Sequence, residues 1–229
     1  MINDDIIKHY KKYKYCVIKN FMPEQESDDL IEAWDYREDA PFYADLPRTF
    51  KTGPYSELKR NSAHVTGKRF LSAFLKACRT RVEVLIKSDE LLLPYSIEDF
   101  ETNPSLTIDI MEHYGGWSRF MHYKNSKQNF GGHKDAVGDI MAILHLSTNG
   151  VNYDGGLHIV KPDDEVVCVD TKHNLSKGDL LLIDGNYYEH WVKIRDFGKE
   201  IGRLTFFINL NPHGQCGKVS REEQENKIF

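Results

Sequence analysis

Gly131-Gly132-His133-Lys134-Asp135 is the stretch around which the rest of this 229-residue chain is best interpreted. In an extended strand, side chains two residues apart point to the same side, so His133 and Asp135 face one point while Lys134 points away. The two preceding glycines allow a bulge or a close backbone approach, which helps to aim side chains near a site. Two imidazoles and one carboxylate can bind one face of a divalent metal ion. We therefore predict that His133, Asp135 and the downstream His190 are ligands of one metal ion.

These three residues alone are a weak signal. The chain has ten histidines and many aspartates, so about one His-x-Asp triplet is expected by chance. A solvated surface loop would account for His133 and Asp135, and a hydrogen-bonded core or rim position would account for His190. The metal-site hypothesis therefore needs support from the surrounding pattern.

That support comes from the strand predicted after His190. Arg203 and Thr205 share one face of the strand, while Leu204, Phe206, Ile208 and Leu210 take the other. Burying an unpaired guanidinium is costly, so Arg203 requires an anion beside it. A two-pronged hydrogen bond to a carboxylate next to the metal would meet this need. A structural salt bridge to one of the chain's many acidic residues is the alternative.

The second half of the chain predicts an antiparallel two-sheet roll or barrel. Short β-prone runs follow one another with strong turn signals between them, such as Asn149-Gly150 and Asp184-Gly185-Asn186. We predict strands at 106–114, 118–124, 139–148, 156–161, 165–169, 179–183, 190–194 and 203–210. No helix is predicted between them, which favours a double-sheet roll over a parallel sheet.

The first half is predicted to be helix-rich with one early strand at 14–20. Pro23 followed by four acidic residues suits a helix N-terminus, and apolar residues at steps of three to four predict an amphipathic helix over 68–88. The polar segment 39–61 is predicted as a long loop. We predict one domain over 1–229, with a helix-rich part to about 103, a β-roll core over about 104–212 and a C-terminal tail over 213–229.

Composition limits the classes of partner. A net charge of −5 and a pI near 6.1 provide no basic surface for nucleic acid, and no apolar run is long enough to cross a bilayer. The N-terminus lacks the pattern of a secretory signal, and the four cysteines are widely spaced. We therefore expect a cytoplasmic protein with reduced thiols that binds neither nucleic acid nor membrane. The sequence gives no indication of its oligomeric state.

The region from Trp117 to Asn211 resembles the iron(II)- and 2-oxoglutarate-dependent dioxygenases. The matching parts are a tyrosine-containing strand, Gly-Gly-His-Lys-Asp, a Tyr-Asp-Gly-Gly-Leu turn, an apolar strand, His190 and Arg-Leu-Thr-Phe-Phe. They lie at Arg119–Tyr123, Gly131–Asp135, Tyr153–Leu157, Gly178–Gly185, His190 and Arg203–Phe207.

The resemblance implies a double-stranded β-helix (jelly-roll or cupin-like) core in which His133, Asp135 and His190 bind Fe(II). Arg203 would bind the distal carboxylate of 2-oxoglutarate, with Thr205 and Tyr123 as further contacts. Arginine at this position resembles the small-molecule branches, since the prolyl-4-hydroxylase branch commonly has lysine. The carboxylate of Asp135 disfavours halogenation, because related halogenases carry a small residue there.

The activity implied by the resemblance is O2-dependent hydroxylation, desaturation or cyclisation at an unactivated C–H of a small molecule, with release of succinate and CO2. A free amino acid or a natural-product intermediate is the substrate class that this family branch suggests, and ascorbate would help in vitro. Two alternatives stay open: a cupin-like metal enzyme that does not use 2-oxoglutarate, and a non-catalytic β-roll binding protein.

Overall fold

Two antiparallel β-sheets face each other, and the chain passes repeatedly from one to the other. The computed structural model describes residues 2–35, 48–54, 117–128, 130–135, 140–195 and 201–210, together with separate helical positions between 72 and 88. The helices are α1 (Asp4–Tyr13), α2 (Glu24–Asp35) and α3 (Val169–Lys172), and the strands are β1 (Tyr15–Ile18), β2 (Arg48–Pro54), β3 (Trp117–Tyr123), β4 (Phe130–His133), β5 (Ile140–His145), β6 (Asp154–Val160), β7 (Val166–Cys168), β8 (Leu180–Asp184), β9 (His190–Arg195) and β10 (Arg203–Leu210).

The order of the strands is that of a double-stranded β-helix. One sheet has the order β1-β8-β5-β10-β3-β2 and the other the order β4-β9-β6-β7. From β3 to β6 and again from β7 to β10, successive strands alternate between the two sheets. The predicted antiparallel roll, and with it the mainly β fold class, is confirmed.

The apolar core fills the space between the sheets. Its side chains come from alternate positions of strands in both sheets, which is the pattern expected where one face of each strand is buried. Members from the larger sheet include Met121, Met141, Ile143, Leu181, Ile183 and Phe207, and members from the smaller sheet include Leu157, Ile159, Val167, Val192 and Ile194.

The N-terminal segment closes one edge of the larger sheet. Helix α1 begins at a true cap, because the side chain of Asn3 accepts a hydrogen bond from the Ile6 amide at 3.0 Å. It ends at Lys14, whose left-handed backbone (φ 53°) turns the chain into β1, and β1 then pairs with β8. The predicted strand at 14–20 and the acidic helix after Pro23 are both confirmed.

A buried carboxylate fastens the end of β1 to the turn before β8. Asp179 is fully buried and accepts hydrogen bonds from the Asn20 amide at 2.9 Å and the Ser176 amide at 2.8 Å. The ammonium group of Lys19 also binds this carboxylate. The turn is thereby fixed, so that β8 enters the sheet in register with β1 and β5.

Three predictions about local structure were wrong. The predicted loop 39–61 contains β2, which pairs with β3 at the edge of the larger sheet, where Pro54 is tolerated because an edge strand does not need every amide. The strand predicted over 165–169 ends at Cys168, and α3 begins at the next residue. Strand β4 ends at His133, so Asp135 lies beyond the strand.

Other predictions fall wholly or partly outside the described residues. The strand predicted at 106–114 and the apolar stripe predicted for the helix over 68–88 are among these. Within that helix, the described positions include buried Ala73, Ala77, Arg81 and Val84, which follow one another at helical spacing. Among the described residues, no helix is both long and apolar enough to cross a membrane. The single-domain assignment stays a prediction.

We expect Asp179→Asn to lower the free energy of unfolding by about 2 kcal/mol, because the buried carboxylate loses charge-assisted hydrogen bonds. Urea denaturation measures this loss. Asp164→Asn is the matched control, since Asp164 is exposed and its left-handed backbone suits asparagine equally well. Equal stability of the two variants would contradict the fastening role of Asp179.

Candidate metal centre

His133, Asp135 and His190 lie together, and each offers one ligand atom within 4.8 Å of the others. The two histidines come from neighbouring strands, since His133 ends β4 and His190 begins β9 directly opposite it in the antiparallel ladder. Their ring centroids are 4.4 Å apart. The residues that the sequence predicted as one ligand set are thus brought to one point.

Both imidazoles are oriented by the backbone. Nδ1 of His133 lies 2.8 Å from the carbonyl oxygen of Gly131, and Nδ1 of His190 lies 3.0 Å from that of Tyr188. A carbonyl can only accept, so Nδ1 carries a proton in each ring and Nε2 is the nitrogen left to ligate a metal. The Nε2 atoms lie 3.5 Å and 3.7 Å from the two carboxylate oxygens of Asp135. Such pinned rings are typical of histidines that ligate metals.

Asp135 reaches this point from beyond the strand rather than from within it. Its amide donates a hydrogen bond to the carbonyl oxygen of Gly185 at 3.0 Å. A Cβ atom at Gly185 would lie 2.1 Å from Oδ2 of Asp135, so only glycine leaves room for the carboxylate. The strand-parity argument therefore predicted the right neighbours but the wrong local conformation.

Tyr188 connects the second histidine to the N-terminal helix. Its carbonyl oxygen accepts the Nδ1 proton of His190, and its hydroxyl group donates to the carbonyl oxygen of Tyr13 at the end of α1. Its ring also contacts the ring of Tyr15 in β1. The position of His190 is in this way tied to the edge of the larger sheet.

The three residues open into a cavity between the two sheets. Most of its wall is apolar, and the polar groups come from a few strand positions. Besides the three residues themselves, it is lined by Arg119, Met121, Tyr123, Met141, Ile143, Leu157, Trp191, Val192, Arg203, Thr205 and Phe207. As predicted, Arg203 and Thr205 share one face of β10, and that face is turned toward this cavity.

Arg203 is buried, and two of its nitrogens differ in environment. Its Nε donates to Oδ2 of Asp170 at 2.8 Å, which is the structural salt bridge left open by the sequence. Within the described part of the chain, its Nη2 is buried without a hydrogen-bond partner. Burial lowers the pKa of Arg203, but Asp170 outweighs this effect and the net shift is upward. Arg203 is therefore a cation with donor capacity left over.

Two hydroxyl groups lie near this guanidinium. Tyr123 is the register partner of Arg203 on β3, and its ring centroid is 5.7 Å from the guanidinium carbon. Its hydroxyl is also buried without a partner among the described residues, and burial raises its pKa to about 12, so it stays protonated. Thr205 makes only a long contact of 3.5 Å to the Met121 carbonyl oxygen. Both hydroxyls thus remain able to bind a ligand.

Asp170 is the important residue that the sequence did not single out. It lies in α3 and accepts hydrogen bonds from Tyr153 at 2.8 Å, from the Leu157 amide at 3.2 Å and from Arg203. A Cβ atom at Gly156 would lie 2.2 Å from its carboxylate, and the Gly156 backbone has a φ of 132°. The Gly155-Gly156 pair, which the sequence predicts to be a turn, is the one sequence feature that indicates a close approach of another element here.

Three further histidines of the β-strands lie outside the cavity wall. His122 contacts the carbonyl oxygen of Ile201, and His158 contacts that of Gly156 while stacking on Trp191. His145 is fully buried beside Asp170, and burial lowers its pKa to about 4.

Arg119 contributes a second guanidinium to the cavity wall. Its central carbon lies 5.0 Å from the ring centroid of Phe207, which is also its register partner on β10. Burial lowers the pKa of Arg119, while Tyr123 and Asp135 act in the opposite direction. Arg119 and Tyr123 both line the cavity, as residues four apart on one strand share a face.

Comparisons with known proteins support the fold. No protein-family model matches the sequence, and no curated protein matches it. The structure is similar to a prolyl-4-hydroxylase from Pseudomonas putida, with 13% identity over 90% of this chain and 97% of that chain and a TM-score of 0.54. It is also similar to HygX from Streptomyces hygroscopicus, solved with nickel and 2-oxoglutarate bound, with 10% identity over 93% and 88% of the two chains and a TM-score of 0.55.

A third similar structure is SnoK from nogalamycin biosynthesis, described as a non-haem alpha-ketoglutarate-dependent carbocyclase. The identity is 11% over 91% of this chain and 84% of that chain, with a TM-score of 0.57. At such identities the likeness is one of fold, and it agrees with the double-stranded β-helix seen here.

We expect Gly185→Ala to lower the affinity for Mn(II) by roughly 10- to 100-fold, because the added methyl group displaces the Asp135 carboxylate. Anaerobic calorimetry with metal-free protein measures the affinity. Gly131→Ala is the control, since a Cβ atom there meets nothing within 4 Å and the carbonyl oxygen that orients His133 is kept. Loss of affinity in both variants, or in neither, would contradict this account.

Proposed function

We propose that this protein is a non-haem Fe(II)- and 2-oxoglutarate-dependent dioxygenase that oxidises an unactivated C–H of a small molecule. The observation that carries the proposal is that two groups of polar side chains line the same cavity. One is the set of two oriented imidazoles and a carboxylate, and the other is the pair of buried polar groups on Arg203 and Tyr123 that have no partner among the described residues.

The donor set fits Fe(II). Two Nε2 atoms and one carboxylate, contributed by His133, His190 and Asp135, would hold the ion and leave it positions for other ligands. The carbonyl oxygens of Gly131 and Tyr188 would hold the rings in the required tautomer. When bound, Fe(II) with 2-oxoglutarate and O2 supplies oxidative decarboxylation to succinate and CO2, coupled to removal of hydrogen from the substrate.

A second group of residues in the cavity wall would bind the distal carboxylate of 2-oxoglutarate. Nη2 of Arg203 and the hydroxyl of Tyr123 would donate to its oxygens, and Thr205 would add a third donor. A charge-assisted bond of this kind to a buried donor is strong, since the low local dielectric strengthens it. The partnerless buried groups would then be satisfied in the bound state. HygX, whose structure contains 2-oxoglutarate, shares this fold.

The substrate would lie against the apolar part of the wall. Side chains such as Met121, Ile143 and Leu157 exclude water and would hold a hydrocarbon portion near the metal. Arg119 on the same wall would contact an acidic group of the substrate. We propose a small molecule, in the class of a free amino acid or a natural-product intermediate, as the substrate.

A second candidate function is favoured by the Arg203–Asp170 salt bridge. If Asp170 were the sole anion that Arg203 needs, the same metal centre would serve an enzyme that does not use 2-oxoglutarate. Oxygen consumption separates the two functions, since 2-oxoglutarate is required for it only in the first. The partnerless Nη2 of Arg203 favours the first function.

We expect Fe(II)-loaded protein with ascorbate to release succinate from 2-oxoglutarate in a screen of small metabolites, and Asp135→Ala to abolish that release. The variant removes the only carboxylate of the ligand set, so the metal is no longer held in the cavity. Succinate is measured by chromatography, and thermal unfolding checks that the variant is folded. Undiminished turnover by Asp135→Ala would contradict the proposed centre.

We expect Arg203→Lys to raise the KM for 2-oxoglutarate about tenfold with a smaller change in kcat, because lysine lacks the planar fork that serves Asp170 and a second carboxylate at once. Arg195→Lys is the matched control, as Arg195 also pairs with an aspartate through Nε but is exposed on β9. An unchanged KM in Arg203→Lys would contradict the proposed role of Arg203 in binding 2-oxoglutarate.

A further inference from the structure

We infer that Asp170 is the resident counterion of Arg203 and that its negative charge opposes the carboxylate of the incoming co-substrate. Asp170 would thus stabilise the empty cavity while limiting the affinity for 2-oxoglutarate. This inference rests on the proposed function. Asp170 is a positioning residue, since it acts through Arg203 and not through contact with the reacting atoms.

The first step of the argument is the charge of Asp170. Burial would raise its pKa, but Arg203 and the other contacts outweigh burial and hold the pKa below its usual range, so the group is ionised at neutral pH. His145, 4.0 Å away, remains neutral because burial lowers its pKa to about 4. Among the described neighbours of Asp170, Arg203 is therefore the one full positive charge.

The second step is the geometry of the guanidinium. Asp170 occupies the Nε side of Arg203 at 2.8 Å, while Nη2 is without a partner in the described structure. A second carboxylate bound at Nη2 would share the same small cation with Asp170. Two anions sharing one buried cation repel each other strongly, because little solvent screens them.

The third step is that Asp170 cannot easily move away from the second anion. Its oxygens accept hydrogen bonds from the Tyr153 hydroxyl and the Leu157 amide. The Gly156 backbone also lies close against the Asp170 side chain and restricts its movement. The repulsion is therefore built into the bound state. In the empty state the same charge stabilises the protein, since it compensates the guanidinium of Arg203, a residue that is 2% exposed.

The test compares Asp170→Asn with Asp179→Asn, which also neutralises a fully buried aspartate with three donors but is paired with Lys19 and not with Arg203. Anaerobic calorimetry with Mn(II)-loaded protein measures the Kd for 2-oxoglutarate, and thermal unfolding without 2-oxoglutarate measures stability. We expect both variants to unfold at lower temperature. Only Asp170→Asn should bind 2-oxoglutarate more tightly, by about tenfold.

The opposite directions of the two effects distinguish a counterion from a structural support. If Asp170 only supported the fold, Asp170→Asn would lose both stability and affinity, and an unchanged or weaker affinity overturns the inference. If the wild-type protein binds no 2-oxoglutarate, the proposed function fails and the inference fails with it. If the wild type binds normally and Asp170→Asn is unchanged, the inference alone fails.

A second variant covers the case in which Asp170→Asn does not fold. Tyr153→Phe removes one donor from the Asp170 carboxylate and preserves the ring. The charge of Asp170 is then less compensated, so its repulsion of 2-oxoglutarate should grow. We expect the Kd to rise about threefold. An unchanged or lower Kd in Tyr153→Phe overturns the inference.

Discussion

The pairing of β4 with β9 is the constraint on which the site depends. Because the ladder places His133 directly opposite His190, two imidazoles from distant parts of the chain share one face at one height. A shift of register by one residue would turn one of the rings to the other face of the sheet. The carbonyl oxygens of Gly131 and Tyr188 then fix the ring orientation, and Gly185 leaves the space through which Asp135 completes the set.

The cavity combines an apolar wall with a small number of strongly polar groups, and the charged group among them needs a counterion. A guanidinium enclosed between two sheets would destabilise the fold if it had no anion, and Asp170 supplies one. The same enclosure leaves donors of Arg203 and Tyr123 unsatisfied among the described residues. The interior thus contains a paired charge and, beside it, buried donors that have no partner in the described structure.

The sequence predicted those features that depend on strand periodicity. The division of β10 into one face with Arg203 and Thr205 and another with Leu204 and Phe206 follows from the two-residue repeat of a strand. The features it missed depend on nonlocal pairing. Strand β2 exists because β3 offers an edge to it, and its own residues are too polar to reveal this. Asp170 meets Arg203 only because Gly156 adopts a left-handed backbone that brings α3 close, and no local pattern encodes that approach.

Tyr188 makes the N-terminal helix important for the position of His190. Tyr188 accepts a hydrogen bond from His190 through its carbonyl oxygen and donates one to the last turn of α1 through its hydroxyl. Two hydrogen bonds and one residue therefore connect α1 to the imidazole of His190. Changes at the start of the chain that displace α1 would thus disturb the position of His190, although no residue of α1 lines the cavity. Helix α1 therefore supports the position of a candidate metal ligand in addition to covering the edge of the larger sheet.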